Sequence, residues 1–124
     1  MNNKEFEAVI KLPANIRYEY FIKKVADYEE VWALYDDGFV TASDEKGNKI
    51  LPFFPKKEFA QNYAKLEWAN CKPITIELDD FINKWLPGME KDEIKPAIFP
   101  VDNKFAVIEY ELLLRDLENE LENY

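Results

Sequence analysis

The sequence contains no histidine, one cysteine, one serine and three glycines. Without histidine the chain lacks the commonest general base near neutral pH, the Ser-His and Cys-His nucleophile pairs, and imidazole-based zinc sites. A single thiol, Cys71, excludes thiolate metal clusters and CxxC redox chemistry. Its neighbours include no base to activate it as a nucleophile. Three glycines leave room for neither a GxGxxG nor a Walker-type phosphate loop. Only Arg17 and Arg115 carry the planar fork that grips phosphate or carboxylate bidentately; every other basic residue is a lysine. No run approaches the ~18 consecutive apolar residues of a membrane span, and the opening MNNKEFEAV has no apolar signal region. A cytoplasmic protein is expected, and a lone cysteine agrees with a reducing compartment.

What is present describes a packed protein. The 124 residues are 48% hydrophobic, 15% aromatic and 33% charged, which suits one domain over 1–124 with a real core. The formal net charge of −9 opposes phosphate backbones and anionic membrane surfaces by Coulomb repulsion, so neither nucleic acid nor membrane is an expected partner. A basic protein is the partner such a charge favours.

Periodicity gives the element order ααβββαβαββα. After a short helix in NNKEFEAVIKL, Pro13 opens a second, with Ala14, Tyr18, Phe21, Val25 and Tyr28 as its buried stripe. VWALY (31–35), FVTAS (39–43) and KILPFF (49–54) read as a β-meander, its first turn at Asp36-Asp37-Gly38. The all-apolar first strand is expected to be central, with both faces covered. Pro55 then starts a helix bearing Phe59, Tyr63 and Leu66. KPITIEL (72–78) reads as a strand, followed by a helix capped by Asp79 and stopped at Pro87-Gly88. KPAIFPV (95–101) and FAVIE (105–109) read as a hairpin whose first strand, with Pro96 and Pro100, is expected at an edge. A last helix (110–124) aligns Tyr110, Leu113, Leu114, Leu117, Leu121 and Tyr124. The expected class is α+β: a largely antiparallel sheet of about five to six strands, meander plus hairpin, packed with amphipathic helices.

Residues 17–101 resemble a bacterial family, domain of unknown function 2750. The resemblance is carried by Trp32, Asp37-Gly38-Phe39, Leu51-Pro52-Phe53-Phe54-Pro55, Ala60, Leu78-Asp79-Asp80-Phe81, Trp85-Leu86-Pro87-Gly88 and Phe99-Pro100. It implies a small bacterial domain and transfers no activity, cofactor or site.

Three functional readings remain. Residues 109–124 hold six carboxylates against Arg115 alone, more than half the excess charge. Glu111, Arg115, Glu118 and Glu122 therefore form a candidate docking surface for a basic partner, as in an acidic inhibitor or immunity-type protein. The same run also suits the solvated face of a packed helix. Trp32, Phe53, Phe54, Lys57 and Trp85 are candidates for an aromatic-lined ligand pocket, with Lys56 and Lys57 at a helix N-terminus as an anion cradle. Those aromatics equally suit a strand-to-helix corner in the core. A carboxylate or Mg²⁺ enzyme would need Asp36-Asp37 and Asp79-Asp80 to converge, although each pair is also what a turn or a helix start demands. The non-catalytic interaction module is the favoured reading, with no cofactor.

Overall fold

Two helices open the chain in the computed structural model, which describes residues 3–36, 38, 42–43, 46–64, 69–102 and 104–123. Helix α1 (Asn3–Ile10) buries Val9, and α2 (Ala14–Tyr28) buries Arg17, Phe21, Ile22, Val25 and Ala26. Pro13 stands just outside α2 in extended geometry, and its carbonyl takes the N–H groups of Ile16 and Arg17 at 3.0 and 2.9 Å. The buried stripe is rotated from the expected one: Tyr28 is 54% exposed, and the core-facing line instead contains Arg17, the one buried charged side chain among the described residues. Glu29 ends α2 in the left-handed region at φ 55°, its N–H held by the Val25 carbonyl at 2.9 Å, and the chain turns directly into a strand.

Strand β1 (Glu30–Tyr35) pairs antiparallel with β4 (Lys72–Glu77), Glu30 opposite Glu77 and Tyr35 opposite Lys72. Strands β2 (Ala42–Ser43), β3 (Lys49–Phe53), β5 (Ile94–Val101) and β6 (Lys104–Val107) form a second sheet in the order β2-β3-β5-β6. The six strands among the described residues and the α+β class match the expectation. Of the expected meander the β2–β3 half forms, antiparallel with Ala42 opposite Ile50, whereas among the described residues β1 does not join it. Instead of pairing with β2, β1 exchanges hydrogen bonds of 2.9 and 2.8 Å between Trp32 and Phe54, which joins the two sheets. That contact and β4 flank β1 on both sides, and its Val31, Ala33 and Leu34 are completely buried. The β3–β5 pairing is parallel, because the long connection between them, which includes β4 and the helices on either side of it, carries the chain back across the sheet.

The prolines explain the remaining departures. Strand β5 is central, not an edge. Pro96 lies where β6 is already ending: its carbonyl accepts Ile108 N–H at 3.1 Å, with no donor needed in return. Pro100 sits in a break in the β5–β6 register between Ile98 and Val101, where Phe99 adopts φ 52°. Phe54 turns its backbone toward Trp32, so by alternation Pro52 faces that side too, and no β3–β5 donor is lost. Pro87-Gly88 does not stop the helix. Helix α4 (Leu78–Asp80) widens into a π-turn over Phe81–Trp85, where Leu86 N–H reaches back to Phe81, and α5 (Leu86–Lys91) continues. The wide turn shifts the ladder by one residue just before a proline that has no N–H to contribute.

Helix α3 (Lys57–Tyr63) and α6 (Tyr110–Leu121) complete the core. Phe59 stacks on Phe6 at 5.4 Å and tilts against Phe99 at 4.6 Å, with Tyr20 edge-on at 5.9 Å. Helix α6 contributes Leu113 and Leu117; Tyr124 and Leu66, expected on the buried stripes, lie outside the described residues.

Arg17 joins these parts. It is 2% exposed. Its Nε donates to the Phe99 carbonyl at 3.1 Å, Nη1 to Leu12 at 2.6 Å and Nη2 to Lys104 at 2.6 Å, and the guanidinium lies 5.8 Å from the Phe99 ring centre. Instead of forming a fork for an external anion, it satisfies two backbone carbonyls at the break in the sheet and a third in the α1–α2 connection. Desolvation holds its pKa below the ordinary arginine value. Replacing it in Arg17→Met strands three carbonyls and should cost roughly 3 kcal/mol or more in urea unfolding, with Arg17→Lys recovering only part because one ammonium cannot span the three acceptors. A loss within about 0.5 kcal/mol, the range of an ordinary surface change, would show that the bulge holds itself.

Candidate functional site

The aromatic corner is built by one strand end and the helices around it. Successive residues of an extended chain point to opposite faces, so Phe53 meets Phe81 at 4.8 Å and Trp85 at 6.2 Å, both edge-on, while Phe54 tilts against Tyr63 at 5.5 Å. Both phenylalanines are 0% exposed. Trp32 is half-buried and donates from Nε1 to Glu30 Oε1 at 3.2 Å; Trp85 is half-buried and Lys57 exposed. The structure therefore does not gather these five residues around a common space. Lys56 is engaged, 3.7 Å from Glu5 and 5.3 Å from the Tyr28 ring centre.

Asp36 is held apart from Asp79 and Asp80. Asp36 follows Tyr35, which faces Lys72, whereas Asp79 follows Leu78, whose N–H bonds to Glu29 at the other end of β1. Six rungs at about 3.3 Å each separate them by roughly 20 Å, so Asp36 and Asp79 cannot share an ion or a substrate atom. Asp80 sits 3.4 Å from Lys84 one helical turn on; Asp37 lies outside the described residues. Among the described residues no group of three or more metal-ligating side chains converges. Cys71 is half-buried, and burial followed by the charge of Asp36 pushes its thiol pKa up, away from the reactive thiolate.

Two grooves open elsewhere. One, of about 650 Å³, lies between the start of β3, the end of α5 and the start of β5; Glu90, Asp92 and Glu93 line it with Lys49, and an ion pair of 3.1 Å joins Lys95 to Glu109 at its side. The second, of about 730 Å³, runs between α2 and α6. Ala106 and Ile108 form its floor, Tyr18, Ile22 and Leu112 its walls, and Glu19, Asp116 and Glu120 its acidic rim. Tyr18 Oη donates to Asp116 Oδ2 at 2.5 Å and ties the two helices together. None of the five corner residues lines either groove. Beside the second groove, Glu111, Arg115, Glu118 and Glu122 are all exposed and follow one stripe of α6 and its C-terminal cap, while Leu113 and Leu117 bury the other side. The groove itself was signalled by apolar residues left over from the predicted stripes, chiefly Ile22 and Leu112.

Residues 18–121 match the family described as Protein of unknown function (DUF2750). A search of curated proteins finds no match. Among solved structures, Anabaena Tic22 (protein transport) is similar with 17% identity and a TM-score of 0.42, over 68% of this chain and 47% of that one, so the chain spans about half the length of that structure.

Two tyrosines supply a pH signature. Burial and then the partner carboxylate, Asp116 for Tyr18 and Glu5 for Tyr20, raise both phenol pKa values well above the ordinary value near 10. A raised phenol pKa favours the folded state fully below about pH 10, and that stability is lost as pH rises above it, where the unfolded chain ionises first. Thermal melts should fall steeply above about pH 10, and Tyr18→Phe should flatten part of the fall. Tyrosine absorbance titrating at the ordinary value in the still-folded protein would contradict this.

Proposed function

We propose, for a chain that belongs to the DUF2750 family of proteins of unknown function, a non-catalytic role: it docks a basic protein partner on the acidic face of α6, in the manner of an inhibitor or immunity-type protein. The observation that carries the reading is the exposure of Glu111, Glu118 and Glu122 along one stripe, on a helix anchored from behind by Leu113 and Leu117. A rigid helix presenting fixed carboxylates needs little reordering to bind, which keeps the entropic cost of association down. Asp116 and Glu120, on the rim of the neighbouring groove, extend the negative surface toward α2. The chain's net charge of −9 adds a field that speeds encounter with a basic surface and repels acidic competitors. The absence of histidine in the sequence supports a non-catalytic role.

Affinity capture of the tagged chain from lysate of its source organism, at low and moderate salt, tests the reading. One stoichiometric basic partner, released as salt rises, is expected. Glu118→Lys with Glu122→Lys should then weaken binding roughly tenfold or more at low salt, chiefly through the association rate, with folding stability changed by no more than about 0.5 kcal/mol. A partner whose affinity ignores both the salt and the double reversal would remove α6 as the docking face.

A further inference from the structure

Strand β6 is an outer strand of the four-stranded sheet. Ile108 N–H donates to Pro96 of β5 at 3.1 Å, so by alternation Ala106 also turns its backbone toward β5, while Phe105 and Val107 turn their N–H and C=O groups outward. This outward edge runs beside the α2–α6 groove, because Ala106 and Ile108 are its floor. Peptide-binding modules that extend a sheet need such a combination: unpaired backbone groups for affinity and an adjacent groove for alternate side chains.

We infer that this edge and groove bind an extended basic peptide segment, one that alternates lysine or arginine with small aliphatic residues and adds to β6 as a further strand. The inference rests on the proposed docking of a basic partner and names the form in which that partner binds. Charge selects the occupant. Three carboxylates, Glu19, Asp116 and Glu120, line the groove against Lys23 alone among the described residues around it. Long basic side chains on the groove face lay their stems along Ile108 and Leu112, the latter 38% exposed, and reach the rim with their charged ends. Aliphatic side chains on the opposite face lie beside Phe105 and Val107, both half-buried. A second copy of this chain fits poorly, since pairing two β6 edges brings together two acidic rims on molecules each carrying −9.

The test uses a short synthetic peptide alternating lysine with valine, in two versions N-methylated on one or the other alternate set of amides. The expected result is binding of the parent peptide with slowed amide exchange at Val107 and Phe105, and a loss of about tenfold or more for one methylated version only, since strand addition uses one edge of the peptide. Val107→Pro should reproduce that loss while leaving the fold intact, because its N–H points away from β5. Equal binding by both methylated versions, with Val107 unprotected, would overturn strand addition and leave docking on α6 standing. Loss on Val107→Pro with no response to reversal of Glu118 and Glu122 would sustain strand addition while removing the α6 face. A dimer of the free chain with Val107 already protected, or no peptide binding at all, would overturn the inference.

Discussion

The four-stranded sheet is tied to the first two helices by one buried cation that has no carboxylate partner among the described residues. Arg17 brings a full charge into a site 2% exposed and is held there by three main-chain carbonyls from three segments: the α1–α2 connection, the β5 bulge and the first residue of β6. Burying an unpaired charge is costly, and charge-assisted hydrogen bonds to well-placed acceptors are what offset it. Pro100 gives the arrangement its reason. A proline in a central strand removes a ladder donor, and the guanidinium supplies N–H groups on either side of that break, to Phe99 and to Lys104. Phe99, turned to positive φ by the same bulge, packs its ring against Phe59 and Tyr20 at the centre of the core.

From Arg17 the rest of the geometry follows in order. Fixing α2 to the bulge sets its rotation, so Ile22 turns inward and Tyr18 turns toward α6, where it meets Asp116. Helix α6 is thereby held with Leu113 and Leu117 inside and its glutamates outside. The gap left between the two helices is the groove floored by Ala106 and Ile108. One side of α2 is thus core scaffold and the adjoining side is wall of a surface site, so the candidate docking region is built from helices and not from a loop.

Much of this was legible in the sequence where local rules decide. The six strands, the α+β class and the core stripe of α6 through Leu113 and Leu117 follow from alternation and helical period. The departures share one cause: at each proline or glycine, tertiary partners override a local breaker signal. Pro87-Gly88 was expected to end a helix, yet the π-turn at Phe81–Trp85 lets the helix pass. Pro96 and Pro100 pointed to an edge strand, yet a strand end and an arginine make a central position tolerable. The β2–β3 part of the meander is present, while β1 takes a long-range pairing with β4 that short-range turn chemistry at Asp36 and Gly38 does not encode. The role of Arg17 was invisible for the same reason, since its acceptors at Phe99 and Lys104 are distant in sequence. As for the candidate sites, the acidic stripe was readable from composition and period, whereas the groove arises only when α2, α6 and β6 meet.

The central claim is that the α6–β6 face, and not the aromatic corner, receives a basic partner. The most direct measurement is a two-dimensional amide NMR map of the labelled chain with and without that partner bound. The account predicts shifts concentrated at Phe105 and Val107, along the exposed stripe of α6 and on the groove side of α2, with Phe53, Phe54 and Phe81 unmoved. Shifts centred instead on Trp32, Lys57 and Trp85 would contradict it and return the function to the corner.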